Sequence, residues 1–289
     1  MGPRGDTHAQ KGIRWITFGE ASLLDLNKLH KEWYDWTLKK GPQPEFLKKR
    51  VAYYLMGAEE WKYADTLEGI SNETMRLYVN SVDGQANSVF HSGIMDSTLP
   101  STAQPDRYVY DPLDTRPAEI EREEIKEPFT DQRYALNMFD NGLIYHSAPF
   151  DLDTEITGYV KLAVWMALDV PDTDFQVNLS EILLNGKQVL LTQDFLRARY
   201  RESLRQEKLI TPGEINRYEF NGFTFFSRRI ARNSRLRLTI SSPNSIYIQK
   251  NYNSGGVVAE ESGRDARIAH VTLYHDANHP SFLEMPLVK

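Results

Sequence analysis

A run of alternating residues in the middle of the chain, residues 157–203, constrains the fold most. Apolar side chains occupy every second position from Val160 to Leu168, as in a strand with one buried face. The proline and aspartates of Pro171–Asp174 then predict a turn, after which the alternation resumes. Asn185-Gly186 predicts a type I′ hairpin turn, because these two residues tolerate positive φ. Together these signals predict the middle of a large antiparallel β-domain.

Composition narrows the class of protein. The chain has 289 residues, enough for one large domain and a smaller piece. A net charge of −6 gives no broad basic surface for nucleic acid, and the basic clusters at 197–205 and 228–237 are interpreted as solvated strand faces. The absence of cysteine excludes disulfides, thiolate catalysis and cysteine-ligated zinc. Neither a signal peptide nor an apolar run of about 20 residues is visible, so we expect a cytoplasmic protein without membrane contact.

One long helix is predicted near the start of the chain, over Ser22–Lys40. Ser22 and Asp25 have the spacing of a capping box, and Gly41-Pro42 ends the helical pattern. Two tryptophans and a tyrosine lie between positions 33 and 36. Because such a helix is not stable alone in water, we expect it to dock on a larger body.

Short strands at close spacing make up most of the remaining pattern. Residues 59–69 are predicted to be irregular, and residues 97–133 a long aperiodic crossover on a neighbouring surface. In the last strands the leucines are expected to face inward and the arginines outward. About ten strands of this kind favour an all-β sandwich or jelly roll. Outside the central block, strands are predicted at 51–56, 75–79, 88–91, 143–147, 218–226, 235–242 and 266–274.

No complete catalytic or metal-binding pattern is present. The i,i+4 pair His275 and His279 is interpreted as part of a surface loop rather than a zinc site. Asp172, Asp174 and Glu181 could supply calcium ligands, but turn capping is the favoured interpretation. Glu59 and Glu60 are interpreted as two solvated charges. No G-x-S-x-G elbow, Walker motif or dinucleotide motif occurs, and no cofactor or metal is expected.

Several segments, taken together and in order, resemble the C-terminal part of the CocE/NonD hydrolases, a group that includes the X-Pro dipeptidyl-peptidases. The resemblance runs over nearly the whole chain. It is carried by SLLDLNKLHKEWYDWTLKKGP (22–42), VAYYLMGAEEWKYAD (51–65), VYDPLD (109–114), TGYVKLAVWMALDVPDTDF (157–175), LRARYRES (196–203), RLRLTISS (235–242) and KNYNSGG (250–256).

The resemblance implies a division of the chain into two parts. Residues 1–44 would be the last loop and helix of an α/β-hydrolase domain, and residues 45–289 a galactose-binding-like jelly roll of the X-Pro dipeptidyl-peptidase C-terminal type. The family uses a serine, an acid and a histidine in that order along the chain, which places the serine and acid before Met1. We therefore expect a C-terminal fragment that is inactive alone.

The resemblance also suggests site residues. The family histidine follows a GPW-x-H pattern; here His8 comes two residues late and the tryptophan is absent, so His8 is either that catalytic residue or a terminal residue without a role. Trp61 and Tyr63 fall at the junction of the two domains, where they would line the acyl pocket or form interdomain core. The substrate would be an ester, an amide or an X-Pro peptide.

The aspartates and arginines that belong to the resemblance are interpreted as structural. Asp172 and Asp174 would cap a turn. The arginines two apart would share a strand face, where carboxylates of a neighbouring strand can pair with them. These arginines are Arg197, Arg199 and Arg201.

Two further hypotheses stay open. The chain could be a stand-alone jelly-roll module that binds carbohydrate or a partner, with residues 97–133 as a binding loop and Tyr108 and Tyr110 as stacking platforms. It could also complement a separately encoded catalytic half, or self-associate through the apolar face that a missing hydrolase core would leave exposed.

Overall fold

The computed structural model describes residues 12–13, 16–101, 104–122, 139 and 141–289, and it confirms the mainly β architecture. The first half of the chain contains β1 (Gly12–Ile13), β2 (Ile16–Thr17), α1 (Leu26–Lys39), β3 (Val51–Leu55), β4 (Glu60–Ala64), β5 (Glu73–Asn80), β6 (Gly93–Asp96), β7 (Asp106–Tyr110), α2 (Arg116–Arg122) and β8 (Gly142–Ser147). The second half contains β9 (Thr154–Gly158), β10 (Lys161–Leu168), β11 (Asp174–Ile182), β12 (Gln188–Arg197), β13 (Ile215–Phe220), β14 (Phe226–Ile230), β15 (Arg235–Ser241), β16 (Ala269–Tyr274) and β17 (Phe282–Val288).

Thirteen strands join in one mixed sheet. Its main path runs β12-β11-β15-β8-β6-β5-β17-β10-β16-β7, with β13 added to β10, and β14 to β9 beside β17. Within the described residues, β6 and β8 pair in parallel and the other ladders are antiparallel. Two smaller sheets are separate from it in their strand pairing, the β1–β2 pair and the β3–β4 hairpin, although Met56 after β3 forms a bridge to Arg228 of β14.

Distant strands of this path pack on one another, so the sheet folds over into a sandwich around a single core. Phe175 of β11 lies edge-on to Tyr218 of β13, with ring centroids 5.3 Å apart. The hydroxyl of Tyr108 on β7 lies 3.1 Å from that of Ser242, which follows β15. Both pairs belong to or border one continuous apolar cluster. This is the sandwich architecture that the spacing of strands predicts.

The central block folds as its alternation predicts. Val160, Leu162, Val164, Met166 and Leu168 are all buried. Strand β10 pairs with β13 along one edge and with β16 and β17 along the other, so it lies inside the sheet and not at an edge. The alternating residues therefore supply the centre of the core.

The hairpin after β11 differs from the predicted type I′ turn. Gly186 has a φ of +79°, but Asn185 is not among the residues with positive φ. The Gly186 amide donates to the Leu183 carbonyl at 2.8 Å, and the Leu183 amide to the Lys187 carbonyl at 2.9 Å. A turn closed by a single left-handed glycine fits a longer hairpin loop with a bulge. Asn-Gly located the hairpin but not its turn type.

Several predicted boundaries were wrong. Residues 60–64 are strand β4 and not irregular, because they pair with β3. Residues 88–91 form bends, and the strand comes later, at β6. The stretch 97–133 was predicted to be aperiodic, yet it contains β7 and α2; residues 102–103 and 123–133 lie outside the described part. In β7 the alternation of buried Asp106, Tyr108 and Tyr110 with exposed Arg107 and Val109 is complete.

Helix α1 begins four residues later than predicted. Asp25, not Ser22, is the N-cap: its carboxylate accepts from the Lys28 amide at 2.9 Å. At the other end Lys40, rather than Gly41, adopts the left-handed conformation, with a φ of +59°. Neither helix in the described part of the chain combines the length and apolarity needed to cross a membrane.

The predicted strand 218–226 is in fact two strands, β13 and β14, which pair with different partners, β10 and β9. On β15 the prediction that arginines face outward holds only in part. Arg235 is exposed, but Arg237 is buried.

Candidate functional site

The segment before α1 lies along the β3–β4 hairpin and is fastened to it by three contacts. The Gly19 amide donates to Glu59 Oε2 at 3.0 Å, and Trp61 Nε1 donates to the Ala21 carbonyl at 2.7 Å. The ring of Phe18 lies edge-on to that of Tyr54, with centroids 6.5 Å apart. We call the surface formed by this segment and the hairpin the junction, residues 16–25 with 46–64.

Glu59 is the polar centre of the junction. It holds a φ of +60° and accepts hydrogen bonds from Tyr54 Oη at 2.7 Å, from the Gly57 amide at 2.9 Å and from Gly19. Burial, followed by the hydrogen bond and charge of Glu59, raises the pKa of Tyr54 to about 12. The interpretation of this glutamate as a solvated charge was therefore wrong. Its backbone strain and its three partners indicate a fixed position.

Trp61 and Tyr63 lie together on one face of β4, as their spacing requires. The Trp61 ring lies edge-on to Phe46 at 4.8 Å and to Tyr54 at 5.4 Å. Tyr63 lies 6.2 Å from Phe46, and the Lys48 ammonium sits 5.2 Å over its ring. The two rings thus pack against residues of the junction itself. Whether the pair also lines a substrate pocket stays a prediction.

Helix α1 adjoins the junction but buries none of its residues in the described part of the chain. Its large apolar residues are exposed to an unusual degree: Leu38 by 74%, Tyr34 by 58%, Leu26 by 57% and Trp33 by 45%. The Trp33 ring lies edge-on to that of Trp36, with centroids 5.3 Å apart. A 14-residue helix with this composition is marginal without a tertiary partner. The helix therefore presents an exposed apolar surface beside the junction.

His8 lies outside the described residues, so its equivalence to a catalytic histidine stays a prediction. Elsewhere in the described part, no group of three or more histidine, aspartate or glutamate side chains could hold a metal ion.

The aspartates proposed for turn capping instead bind arginines. Asp172 is buried and accepts from Arg199 Nε at 2.7 Å and from the Arg199 amide at 2.9 Å. Asp174 takes a bidentate contact from Arg197, its partner across the β11–β12 ladder. The predicted pairing across neighbouring strands is thus confirmed for Arg197. Arg199 lies in a 3₁₀ turn, so the prediction that it shares the strand was wrong.

Arg201 follows that turn. It donates from Nε to Asn216 Oδ1 at 3.1 Å and from Nη1 to the Lys208 carbonyl. Because Asp172 and Asp174 are neutralised by guanidinium groups, they form structural ion pairs and not a cation site.

A fully buried aspartate, which the sequence pattern did not single out, organises a polar network in the core. Asp106 accepts from Ser81 Oγ at 2.7 Å, Tyr145 Oη at 2.8 Å, the Ala86 amide at 3.0 Å and His275 Nε2 at 3.0 Å. Burial raises the pKa of Asp106, but the bonds from His275, Ser81 and Ala86 outweigh it and leave the pKa below its ordinary value. His275 is therefore core, and its placement in a surface loop was wrong.

The proposed stacking platforms are also core. Tyr108 and Tyr110 are exposed by only 3% and 1%, so no ligand can stack on them. Exposed rings occur elsewhere, in a groove of about 390 Å³ between the end of β12 and residues 243–248. Phe195 and Tyr247, exposed by 43% and 77%, line it together with Tyr200.

Comparison with known proteins identifies the relatives. The X-Pro dipeptidyl-peptidase C-terminal non-catalytic domain matches residues 46–284. Cocaine esterase of Rhodococcus sp. (strain MB1 Bresler) is 26% identical over 278 residues, which cover 94% of this chain and 48% of that protein.

Solved structures share the fold. An aminopeptidase from the marine sediment archaeon Thaumarchaeota archaeon superposes with a TM-score of 0.80 at 19% identity, over 97% of this chain and 47% of that one. A CocE/NonD family hydrolase from Staphylococcus aureus superposes with a TM-score of 0.61 at 15% identity, over 92% and 46%. The chain thus spans about half the length of these relatives, and it is similar to the C-terminal part of CocE/NonD hydrolases. It belongs to the family of the X-Pro dipeptidyl-peptidase C-terminal non-catalytic domain.

Proposed function

We propose that this chain is the accessory portion of a CocE/NonD-type acyl hydrolase, and that it docks on a catalytic α/β-hydrolase portion through α1 and the junction. The observation that carries the proposal is the exposed apolar face of α1 beside a rigid aromatic hairpin. An apolar face of this kind on a marginal helix is stabilised by a partner surface. The β-sandwich, residues 45–289, would be the structural and substrate-shaping part.

The proposed division of labour assigns no chemistry to this chain alone. The catalytic portion would supply the nucleophilic serine and its acid, form an acyl-enzyme from an ester, amide or X-Pro peptide, and release the acid with water. His8, if it is the family histidine, would move the proton between serine and leaving group. Trp61 and Tyr63 would form the wall or core of the interface. No cofactor enters this scheme.

The test combines an activity assay with complementation. The purified chain is assayed with a p-nitrophenyl acyl ester and with a serine-directed phosphonate label, alone and after mixing with an α/β-hydrolase polypeptide of the same organism. We expect no turnover and no labelling alone, and turnover on mixing that is lost in Leu38→Asp. The exposed Leu184, on the β11–β12 hairpin, provides the matched control Leu184→Asp. Phosphonate-sensitive turnover by the chain alone would contradict the proposal.

The alternative is a stand-alone module that binds carbohydrate or a partner, and the groove with Phe195 and Tyr247 is the observation that favours it. Exposed aromatic rings beside polar groups are a common binding surface. Under this alternative, Tyr247→Ala abolishes retention on a polysaccharide or partner column while Leu38→Asp leaves it unchanged. The opposite pattern supports the docking function.

A further inference from the structure

Arg199, Arg228 and Arg237 are each exposed by less than 9% as whole residues, and Arg237 differs from the other two in lacking a carboxylate among the described residues. Arg199 binds Asp172 at 2.7 Å, and Arg228 binds Glu181 at 2.7 Å. Arg237 is equally buried, at 6% exposure, but no aspartate or glutamate of the described residues lies within ion-pair distance of it. A buried charge without a counter-ion is expensive, so the exception needs a physical reason.

The protein groups that bind Arg237 are both neutral. Its Nε donates to His146 Nε2 at 2.8 Å, and its Nη1 donates to Gln188 Oε1 at 3.2 Å. Nη2 makes no hydrogen bond with any described residue. Glu181 cannot be the counter-ion of Arg237. It is the residue next to the cross-strand neighbour of Arg237 on β11, so its side chain points to the other face of the sheet.

His146 is held in its neutral form, so it gives Arg237 no negative counter-charge and adds no positive charge of its own. Because its Nε2 accepts from a guanidinium, the proton lies on Nδ1, which faces Ser92 Oγ at 2.9 Å. Burial, followed by the charges of Arg237 and Arg235, lowers the pKa of His146 to about 4. Burial also lowers the pKa of Arg237 to about 10, which leaves it charged at neutral pH.

A second cation stands on the same face. Arg235 lies two residues before Arg237 on β15, so both side chains point to one side of the sheet. Arg235 is exposed, and among the described residues no carboxylate lies within ion-pair distance of it. This face of β15 thus carries one exposed and one buried guanidinium, in a protein of net charge −6.

We infer that Arg237 and Arg235, with Gln188 and His146 as a neutral frame, form a binding site for a small oxyanion, a carboxylate or phosphate. Nη2 of Arg237 and the second N–H of its Nη1 offer donors that match two oxygens of such a group, and Arg235 adds charge on the same face. The site lies on β8, β12 and β15 and is independent of the docking function proposed above. An oxyanion would supply the counter-charge that Arg199 and Arg228 obtain from the protein.

The test follows the Nε–H resonance of Arg237 by ¹⁵N NMR of the full chain, assigned with Arg237→Lys. Inorganic phosphate and sodium acetate are titrated separately against sodium chloride at matched ionic strength. We expect phosphate, acetate or both to shift this resonance saturably, and chloride to leave it unmoved. Arg235→Gln should weaken binding about tenfold, as the loss of one charged contact does.

Arg217 is the matched control, because it is an exposed arginine on β13 that already pairs with Glu219 at 2.7 Å. Arg217→Gln should not change the titration. Since Arg235 is exposed, its substitution tests the site even if Arg237→Lys does not fold. A resonance that moves with neither oxyanion, that moves equally with chloride, or whose titration is the same in Arg235→Gln and wild type would overturn the inference.

Discussion

Replacing Asp106 by alanine tests how much the buried polar network stabilises the sandwich. The carboxylate joins four parts of the chain: β7 itself, the loop of Ser81 and Ala86, β8 through Tyr145, and the end of β16 through His275. Its removal leaves four buried donors without this acceptor, and three of the four are side chains. Each buried donor left without an acceptor lowers the free energy of unfolding by about 1–3 kcal/mol, and these losses are not additive.

The expected loss is therefore set by the network as a unit. Hydrogen bonds to a charged group contribute about 1.5–3 kcal/mol each without being additive, so for the four bonds of Asp106 we predict a loss of about 3–5 kcal/mol in Asp106→Ala. Asp169→Ala is the matched control, because Asp169 also binds a histidine, His270, at 2.6 Å but on an exposed surface. Exposed pairs of this kind contribute less than about 1 kcal/mol.

The assay is urea unfolding of each variant, followed by circular dichroism at neutral pH. Asp106→Ala should shift the midpoint strongly and leave the slope of the transition unchanged, whereas Asp169→Ala should barely move it. Equal losses in the two variants would refute the reasoning, because they would mean that burial adds nothing to the pair.

The pH dependence of the stability of wild type and of Asp106→Asn gives an independent check. The pKa of Asp106 is below its ordinary value of 3.8 in the folded chain, so the unfolded chain takes up this proton first as the pH falls. The stabilisation is complete above the ordinary pKa and is lost as the pH falls through the folded pKa. The difference in stability between wild type and Asp106→Asn should accordingly shrink below about pH 4. A difference that grows on acidification has the wrong sign for this account.

Three further predictions address the junction, the core and the buried ion pairs. Glu59→Gln should lower the pKa of Tyr54 from about 12, measured by ultraviolet titration of tyrosinate, since it removes a charge 2.7 Å from the hydroxyl; an unchanged pKa would leave burial as its only cause. Gly93→Ala should destabilise the fold by about 1–3 kcal/mol in urea, because a Cβ would lie 2.3 Å from Tyr145 Cδ1. Arg228→Met should lower the free energy of unfolding by about 3–5 kcal/mol, because it leaves the buried Glu181 without its partner. The double variant with Glu181→Leu should recover most of this stability. A double variant that loses as much stability as the two single variants together would contradict the pairing.

Local periodicity predicted the centre of the fold well. The alternation over Val160–Leu168 identified five buried side chains and a central strand. A period of two is a local property, and β10 is paired on both sides, so pattern and packing agree.

The errors occur where a contact with a distant part of the chain determines the local structure. Residues 60–64 carry Glu, Lys and Trp and become a strand because β3 pairs with them. Arg237 sits at an outward position of its strand, yet it is buried with its side chain on His146 and Gln188. Polarity alone predicts exposure for such a residue. The tertiary contacts that bury such a residue cannot be predicted from the local sequence pattern.

The candidate site shows the same division. The composition of α1 indicated a helix that needs a partner, and the structure exposes its apolar face. The role of Glu59 could not be predicted, because it depends on Gly19, forty residues earlier in the chain. The Asp106 network depends likewise on residues up to 169 positions away. Contacts of such separation leave no spacing signal in a single sequence.

The docking role of α1 is tested most directly by hydrogen–deuterium exchange of residues 26–39 in the full chain, without and with an α/β-hydrolase polypeptide from the same organism. We predict that α1 amides exchange quickly in the free chain while β10 amides are protected, because α1 buries none of its residues within the described part of the chain. On mixing, α1 should become protected and β10 should not change. Protection of α1 in the free chain equal to that of β10, or no change in α1 when the mixture gains ester hydrolysis, would contradict the account.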